Sequence, residues 1–334
     1  MKTKRGISIE EAALLLLENE VVAFPTETVY GLGALATCDE AVSKIFAAKG
    51  RPSDNPLIVH IGSAAQAGQA VSAIPDTARK LMDAFWPGPL TIVLPKQAGL
   101  SQIVSAGLDT VGVRVPSHPV ALALLQRVNL PVAAPSANVS GRPSPTSARH
   151  VADDLDGKIA GIVDGGASEI GVESTVIDCT TCPPVILRPG GVTRAQIEAV
   201  IGAVALADSL REMQDAPKSP GMKYTHYAPR APLIVVKGDA ALFRRTVTQT
   251  QAAGKRVGVL VTEENKDSYQ ADVIRTCGRA DDPASIANRL YDALREFDQY
   301  ELDVIYAEAF SAEGLGEAIQ NRLQKASAYR VIED

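Results

Sequence analysis

Two cations, an amide and an imidazole lie close together in the sequence between residues 49 and 60. Lys49 and Arg51 stand at the end of a predicted helix, and Asn55 and His60 follow them, with prolines at positions 52 and 56 that stiffen the loop. Cations at a helix end can simply answer the negative pole of the helix dipole, and the pair alone leaves that alternative open. Lysine binds a phosphate as a point charge and arginine as a planar fork, so the polar neighbours favour a phosphate-binding loop with Arg51 exposed to solvent.

A polar segment follows the first predicted strand directly. Pro25 opens it, and it continues with Thr26, Glu27, Thr28 and Tyr30. Ligands of α/β proteins bind at the carboxyl ends of strands, which favours a binding function here, with an ordinary polar turn as the alternative. The Gly-Leu-Gly at 31–33 fits a dinucleotide fingerprint only loosely, because six residues separate it from the strand and no ribose-binding acid is clearly placed.

Further polar groups lie at the ends of other predicted strands. Ser136 and Asn138 follow one strand, although residues of these types are also common in turns and caps. Ser144 belongs to a second hydroxyl-rich patch, Ser174 leads into a strand, and Arg188 ends another. The segment around Ser174 is not a nucleophile elbow, because the second glycine is missing. We expect these groups to share one cleft with the phosphate-binding loop.

One arginine is expected to be buried. Arg114 lies in the predicted strand 111–115, where its neighbours are apolar. A buried guanidinium needs an anionic partner, and the carboxylate of a ligand would serve. The sequence therefore predicts that Arg114 binds a ligand carboxylate.

Patterns for other chemistries are missing or incomplete. The sequence has no Walker A pattern and no His-Glu-x-x-His, and its four histidines lie far apart, so no metal site is predicted. Cys179 and Cys182 form a single Cys-x-x-Cys without a second ligand pair, which favours an incidental spacing over a redox function.

Composition places the chain among cytoplasmic proteins of more than one domain. It has 334 residues, of which 46% are hydrophobic, enough for two cores, and a formal net charge of −6. That charge argues against a surface that grips nucleic acid throughout, but it permits a local basic cavity. The first apolar run, 12–17, is too short for a membrane span and follows two glutamates, so neither a signal peptide nor membrane association is expected.

The spacing of apolar residues predicts strands mixed with helices, an α/β fold. Ser8 is expected to cap a first helix, with Glu11 three residues later. Strands are predicted at 21–24, 57–61, 90–94, 111–115, 132–134, 160–163, 174–177 and 185–187, with helices at 39–49, 75–85 and 119–127. These elements predict a first domain at 7–202 built on a twisted mixed sheet.

The remaining third of the chain has a different character. Residues 203–232 contain several prolines and little periodicity, which predicts a connector with a defined path. Strands are then predicted at 233–236, 256–261 and 303–306, with helices from 239, at 284–297 and up to 328. This alternation predicts a smaller α/β domain at 233–334 with a parallel, Rossmann-like sheet.

Taken together, these motifs resemble the threonylcarbamoyl-adenylate synthase family, the YrdC-like enzymes. The resemblance runs from about residue 8 to 195 and includes the paired signatures Lys49-x-Arg51 and Ser136-x-Asn138. The segment 221–229 and the domain after it resemble the linker and second domain of the two-domain form of this family. The expected fold is therefore a YrdC-like domain, a linker and a C-terminal domain.

The resemblance implies a reaction in which L-threonine, bicarbonate and ATP give threonylcarbamoyl-AMP, pyrophosphate and water. Mg²⁺ is expected to accompany the triphosphate, held more by phosphate oxygens than by the protein. The product would serve the threonylcarbamoyladenosine modification next to the tRNA anticodon, which a separate transferase complex would finish. No residue is an evident covalent nucleophile, so we expect the carbamate to attack the α-phosphate directly.

The resemblance also implies residue functions. Lys49 and Arg51 would be catalytic, stabilising the triphosphate and its developing charge. ATP would be bound by a set of polar side chains that comprises Arg51, Asn55, Thr110, Ser136, Asn138, Ser144, Arg188 and Tyr224. L-Threonine would be held by Thr28, His60, Arg114, the backbone at Ala134 and Ser174.

Other functions remain open at this stage. Tyr224 and the proline-rich linker would close over the active site and keep water from a hydrolysable product, with the alternative that Tyr224 only packs the two domains together. An RNA-binding module of YrdC-like fold is the first alternative, and direct tRNA binding is left open, but no aromatic stacking set accompanies the basic residues. A nucleotide-sensing protein without turnover is the second alternative.

Overall fold

The computed structural model describes residues 2–207 and 226–333, which form two compact units. The first unit holds residues 2–140, 144–169 and 173–207 of the described chain. The second holds residues 226–333 together with two tripeptides from the first half of the sequence, Gly141–Pro143 and Ile170–Val172. Most of the predicted linker 203–232 lies outside the described residues.

The first unit combines helices with one long sheet. Its strands are β1 (Lys4–Arg5), β2 (Val22–Phe24), β3 (Gly31–Leu35), β4 (Ile58–His60), β5 (Leu90–Pro95), β6 (Thr110–Arg114), β7 (Val132–Ala133), β8 (Gly161–Ile162), β9 (Thr175–Asp178), β10 (Val185–Arg188) and β11 (Ala205–Leu206). Its helices are α1 (Ile9–Leu17), α2 (Asp39–Lys49), α3 (Asp76–Phe85), α4 (Pro119–Val128), α5 (Ala148–Leu155) and α6 (Arg194–Ile201), with a 3-10 helix at Ala64–Gln69.

The strands follow the order β1-β8-β2-β3-β7-β4-β6-β5-β9-β10-β11 and mix parallel with antiparallel pairs. The main core covers one face of the central strands, where Val59, Val113 and Ile177 are buried. A smaller apolar cluster, which includes Ile58 and Val93, lies on the opposite face. Side chains alternate between faces along a strand, so this second face is the one on which polar side chains of the same strands can gather.

Local signals explain the helices that flank the site. Ser8 Oγ accepts a hydrogen bond of 3.2 Å from the Glu11 N–H and caps α1, as predicted. Helix α2 ends at Lys49 because Gly50 adopts the left-handed conformation, with φ at 62°, which favours glycine. The predicted bounds of α2 are confirmed.

Strand β3 is not among the strands that the sequence pattern predicts. Its Gly-Leu-Gly start lacks the branched residues that mark strands. Glycine is required at Gly33, because a Cβ there would lie 2.7 Å from the Phe24 ring on the neighbouring strand β2. Gly33, one of the glycines that loosely resembled a nucleotide fingerprint, therefore allows close packing within the sheet.

The second unit contains a five-stranded sheet whose pairs are all parallel, which confirms the predicted smaller α/β domain. Its strands are β12 (Leu233–Lys237), β13 (Val257–Val261), β14 (Val273–Thr276), β15 (Val304–Glu308) and β16 (Val331–Glu333), in the order β14-β13-β15-β12-β16. Its helices are α7 (Ala240–Ala252), α8 (Pro283–Phe297) and α9 (Gly316–Ala326), with a 3-10 helix at Glu263–Asn265.

Within the described part of the chain, none of the helices combines the length and the apolar character that a membrane span requires.

Candidate active site

The centre of the polar face is built by the parallel strands β4 and β6. Their register places His60 beside Arg114 and Ile58 beside Gly112. Because side chains on a strand alternate, Thr110, Gly112 and Arg114 share this face. Gly112 has no side chain and leaves the middle of this face open, because a Cβ there would come within 3.0 Å of Thr91 on β5.

Arg114 is held from three sides. Its Nη1 donates to Thr28 Oγ1 at 2.9 Å, its Nε donates to the Gly88 carbonyl at 3.1 Å, and its Nη2 lies 2.7 Å from Glu27 Oε1. The guanidinium is only 3% exposed, so this geometry is fixed by the protein. The structure therefore brings together Thr28 and Arg114, two of the predicted threonine-binding residues.

Glu27 is a site residue that sequence reasoning did not assign. Its carboxylate is buried, which alone would raise its pKa, but the charge and hydrogen bonding of Arg114 outweigh burial and hold the pKa below its ordinary value. Glu27 is thus the anionic partner that a buried arginine requires. The protein itself therefore supplies an anion for Arg114, and the predicted contact of Arg114 with a ligand carboxylate stays a prediction. The available signal was the adjacency of Glu27 to Thr28.

His60 lies beside this ion pair as a neutral imidazole. Burial, and then the nearby charge of Arg114, lower its pKa to about 3. Its ring meets the Phe24 ring edge to face, with centroids 6.3 Å apart. A neutral imidazole can donate one hydrogen bond and accept another, but it adds no positive charge to the site at neutral pH.

The loop before β5 connects Arg114 to Trp86, the one tryptophan of the sequence. Gly88 accepts from Arg114 through its carbonyl, and its N–H donates to the Val115 carbonyl at 2.8 Å. Trp86 is half-buried, and its indole Nε1 donates to the Leu90 carbonyl at 2.7 Å. The tryptophan therefore belongs to the same rigid turn that orients the guanidinium.

Ser174 and Arg188 form a second contact group. Arg188 donates to the Ser174 carbonyl from Nε at 3.1 Å and from Nη2 at 2.9 Å, and Ser174 Oγ lies 2.8 Å from Thr91 Oγ1. Gly190 makes this approach possible, because a Cβ there would come within 2.4 Å of backbone atoms at 173–175. A residue predicted to bind threonine and one predicted to bind ATP are thus in direct contact.

Ser144 is bonded to a carboxylate that immediately precedes Ser174. Its Oγ donates to Glu173 Oε1 at 2.6 Å, and both side chains are buried. Each of these residues directly follows one of the two tripeptides that belong to the second unit. In one of those tripeptides Arg142 pairs with Asp298 at 2.9 Å.

Lys49 bonds to the loop that carries the second signature. Its Nζ donates to the carbonyls of Ser136 and Asn138, the latter at 2.7 Å. The lysine is 3% exposed, so its ammonium is a buried brace of this loop as well as a positive charge at the end of α2. Ser136 also pairs with Gly31, which ties the loop to the start of β3.

Arg51 and Asn55 lie next to each other in the loop after α2. Arg51 Nη2 donates to the Asn55 carbonyl at 3.3 Å, and the guanidinium lies 6.0 Å from the centre of the Phe46 ring. The expectation that Arg51 is exposed is wrong, because it is 8% exposed and packs on this ring. Both polar atoms of the Asn55 amide are buried without a hydrogen-bond partner among the described residues, which favours a ligand there.

The remaining predicted residues are more distant or only partly defined. Thr110 begins β6 and lies four residues from Arg114, about 13 Å along an extended strand. The Ala134 N–H already donates to the Ile58 carbonyl at 2.9 Å, so its predicted contact with threonine would fall to its carbonyl oxygen. Tyr224 lies outside the described residues.

Two further features bear on chemistry. Burial, and then Asp178, raise the pKa of the Cys179 thiol to about 12, so it is protonated at neutral pH, while Cys182 is exposed. Within residues 2–207 and 226–333, no group of three or more histidine, cysteine or carboxylate side chains is arranged to hold a metal ion.

Comparisons with known proteins place the chain in one family. Residues 14–190 match the family model described as "Telomere recombination", and residues 192–328 match the model for the C-terminal domain of threonylcarbamoyl-AMP synthase. The threonylcarbamoyl-AMP synthase of Bacillus subtilis is 56% identical over 99% of this chain and all of its own length. That of Pyrococcus abyssi is 51% identical over 97% of this chain and 95% of its own.

A solved structure agrees along the whole length. The crystal structure of P. abyssi Sua5 complexed with L-threonine matches with a TM-score of 0.93 and 48% identity, and it covers all of this chain and 99% of its own. Both the first unit and the second unit, with its parallel sheet, are therefore shared with that protein. The chain belongs to the two-domain threonylcarbamoyl-AMP synthase family.

Proposed function

We propose that this chain is an L-threonylcarbamoyladenylate synthase, a nucleotidyltransferase that converts L-threonine, bicarbonate and ATP into threonylcarbamoyl-AMP, pyrophosphate and water. One observation carries the proposal beyond family membership. The polar face around Arg114 and the contact pair of Ser174 with Arg188 meet at Thr91, so groups suited to an amino acid and to a nucleotide are adjacent. Such an arrangement would hold the carbamate and the triphosphate, which are both anions, next to each other. Reactants that meet by diffusion in water are not held in this way.

Threonine would occupy the end of this face near Arg114. Thr28, Ser174 and the Ala134 carbonyl offer hydrogen-bonding groups for its hydroxyl and amino groups, and Arg114 offers the charge for its carboxylate. The ion pair with Glu27 fixes the direction of the guanidinium and offsets part of its charge. His60, as a neutral ring, can bond to the amino acid without competing for its carboxylate.

The nucleotide would extend from Arg188 and Ser144 toward Asn55 and the loop at 136–138. Arg51 and Lys49 would place positive charge near the triphosphate, and the Asn55 amide would find there the partners that the protein does not supply. Thr110 lies on the same face as Arg114, and Tyr224 would close over the adenylate.

The chemistry then runs in two balanced steps. The threonine nitrogen attacks the carbon of bicarbonate, and water leaves as the carbamate forms. A carbamate oxygen attacks the α-phosphorus of ATP, the bond to the bridging oxygen breaks, and pyrophosphate leaves with the displaced electron pair. The cationic side chains lower the repulsion between carbamate and triphosphate, and no covalent intermediate with the protein is required.

We expect Mg²⁺ to accompany the triphosphate and to take its ligands mainly from phosphate oxygens and water. When bound, Mg²⁺ would neutralise charge on the leaving pyrophosphate.

The product is a mixed anhydride that hydrolyses readily, so it must reach its acceptor quickly. We propose that it passes in the cytoplasm to a separate transferase complex that modifies the adenosine next to the tRNA anticodon. The linker 203–232 would shield the product until release.

The decisive test is a pyrophosphate-release assay with mass spectrometry of the nucleotide product. Pyrophosphate should appear only when ATP, threonine and bicarbonate are all present, and threonylcarbamoyl-AMP should be detected. An unchanged rate in bicarbonate-free buffer would show that the chemistry is misassigned. Titration with tRNA in the absence of ATP, across a range of salt, separates this activity from the RNA-binding alternative.

A further inference from the structure

The second unit has a cavity of its own at the carboxyl ends of its three central strands. The cavity has a volume of about 360 Å³ and is lined by residues at the ends of β12, β13 and β15, among them Val236, Thr262 and Glu308. This volume lies in the range of small-molecule sites. All of its lining residues belong to the second unit, so it is separate from the site around Arg114.

The position of the cavity in the sheet is the one at which open α/β sheets bind ligands. The chain leaves β13 toward β14 on one side, and it leaves β15 toward β16 on the other. The crevice between β13 and β15 is therefore a topological switch point, where the connecting segments diverge and leave room at the strand ends. The cavity is thus a consequence of the topology of this unit.

A fixed polar wall lies on one side of the cavity. Glu308 accepts hydrogen bonds from the Thr262 N–H at 2.9 Å, from Asn265 Nδ2 at 2.7 Å and from Tyr269 Oη at 3.0 Å. Burial, and then Glu308, raise the pKa of Tyr269 to about 12, so the phenol remains a donor. The wall is pre-organised and needs no ligand to keep its shape.

One hydroxyl on this wall is bonded only weakly within the protein. Thr262 is 4% exposed, and its Oγ1 has no close hydrogen-bond partner among the described residues, only a looser bond to the exposed Glu264 that helps to lower the pKa of that carboxyl. A buried hydroxyl without a close partner is unfavourable. A ligand in the cavity can supply a closer bond.

The charge of the cavity lining disfavours anionic ligands. Asp239 and Glu308 are its charged side chains, and the described residues of the lining include no lysine, arginine or histidine. The Asp239 carboxylate already accepts from the Ala241 and Leu242 N–H groups, so the start of α7 is capped and does not attract a phosphate. Phosphorylated ligands are therefore disfavoured.

Aromatic rings adjoin this polar wall. Phe243 and Phe310 line the cavity, and Phe243 packs against Tyr269 with ring centroids 4.4 Å apart. Aromatic faces favour a planar ring, while carboxylates at strand ends suit the hydroxyls of a ribose. We propose that this cavity is a second, non-catalytic site that binds an uncharged nucleoside and rejects the corresponding nucleotide.

Binding of adenosine to the full-length protein tests the proposal. A non-hydrolysable ATP analogue at saturation first fills the catalytic site, and calorimetry then measures adenosine and, separately, AMP. We expect adenosine to bind with one site and AMP to bind at least tenfold more weakly. Hydrogen exchange should slow in 257–262 and 304–311 on adding adenosine. Absence of adenosine binding, or equal binding of AMP, would overturn the proposal.

Matched variants locate the site. Thr262→Val removes this weakly bonded hydroxyl at nearly constant volume and should weaken adenosine about three- to tenfold, the value of one neutral hydrogen bond. Thr248→Val makes the same change at an exposed position of α7 and should leave adenosine affinity unaltered. Ala309→Trp, at an exposed position of the cavity lining, should abolish binding. Unchanged affinity in both cavity variants would contradict the assignment.

The rate of pyrophosphate release by the variants distinguishes the second site from the proposed enzymatic activity. All three variants lie in the second unit and none changes a residue placed in catalysis, so each should retain the basal rate. A protein that binds adenosine in this cavity but makes no threonylcarbamoyl-AMP would support the second site while refuting the enzymatic proposal.

Discussion

The buried ion pair of Glu27 with Arg114 sets the properties of the proposed threonine site. Both side chains are almost fully buried, at 3% exposure for Glu27 and 4% for Arg114. Removing one partner of such a pair leaves an uncompensated charge, which typically costs about 3–5 kcal/mol. Arg114 therefore depends on Glu27 for its orientation, and the two residues should behave as one unit in mutagenesis.

Arg114→Ala and Glu27→Gln should both raise the KM for threonine more than the KM for ATP. We expect at least a tenfold rise for threonine, corresponding to about 1.4 kcal/mol, and strong non-additivity in the double variant. Steady-state kinetics with each substrate varied in turn measures the split. Glu20→Gln, which removes a half-exposed partner of Lys44, is the control. An equal rise for both substrates would contradict the assignment.

His60 should make stability depend on pH. Its pKa is near 6.5 in the unfolded chain and about 3 in the folded protein, so below pH 6.5 the unfolded state binds a proton that the folded state does not. The free energy of unfolding should therefore fall as pH drops, with a slope approaching roughly 1.4 kcal/mol per unit. Above pH 6.5 both states carry a neutral ring and this dependence vanishes.

Denaturant unfolding of the wild type and His60→Gln between pH 8 and 4.5 measures this contribution. In the glutamine variant, the free energy of unfolding should depend less on pH, because one fewer proton is taken up on unfolding. The difference in the free energy of unfolding between the two proteins at pH 8 measures the packing lost with the imidazole. Glu27 also titrates near the lower limit in the unfolded chain, since its pKa is lowered only in the folded protein, but this contribution is common to both proteins and cancels in the comparison. Parallel pH profiles for the two proteins would show that His60 does not titrate as proposed.

At the scale of elements, helix α2 acts as a support for the 136–138 loop. Lys49, at its last turn, donates to two carbonyls of that loop, and the loop is also paired to β3 through Ser136. The bonds join segments that are far apart in sequence. The function of Lys49 is therefore to position the loop as well as to supply charge.

Lys49→Gln should loosen this loop while α2 remains intact. We expect faster hydrogen exchange in 134–140, a higher KM for ATP and a lower kcat, because the loop loses its buried brace. Lys44→Gln, on the same helix but half-exposed and paired with Glu20, is the control. Unchanged exchange with lost activity would assign Lys49 a purely electrostatic function.

Local patterns were sufficient to predict most elements near the site. Helix α2 was predicted to the residue, because its apolar face and Gly50 are readable in sequence, and β4, β6 and β9 were placed to within a residue or two. Strand β3 was not predicted, since its glycines carry no strand signal and Gly33 serves close packing. An element is therefore easier to predict from sequence when its packing depends on apolar side chains than when it depends on the absence of a side chain at glycine.

The site was predicted less completely, because its contacts join distant residues. Glu27 and Arg114 are separated by 87 positions, and no local pattern identifies the carboxylate as the partner of the arginine. Burial of Arg51 depends on its packing against Phe46 in the last turn of α2. The sequence gives no sign that a charged residue in the following loop packs in this way. Residue types can be read from sequence, but pairings require the fold.

At the scale of the whole molecule, the second unit includes parts of the first half of the chain. Gly141–Pro143 and Ile170–Val172 belong to it, and Arg295 donates to the Pro143 carbonyl in addition to the pairing of Arg142 with Asp298. Ser144 and Glu173 directly follow these tripeptides and bond to each other. Two segments that end directly before proposed active-site residues therefore belong to the second unit.

Removing residues 205–334 should impair product formation, because the truncated chain loses both the linker and the partners of the tripeptides. Asp298→Ala is a milder version, and it should raise the KM for ATP severalfold with little change for threonine. Asp303→Ala, which removes a carboxylate from an exposed pair with Lys255, serves as the control. Full turnover by the truncated protein would exclude a function of the linker as a lid.

The position of Trp86 gives the protein an optical reporter that needs no label. The indole is part of the turn whose Gly88 carbonyl receives the Arg114 guanidinium, and it is the only fluorophore of its kind in the sequence. An amino acid that engages the arginine would perturb that turn and alter the emission of a single ring. Stopped-flow fluorescence could then follow the arrival of threonine in real time and give the order in which the substrates enter.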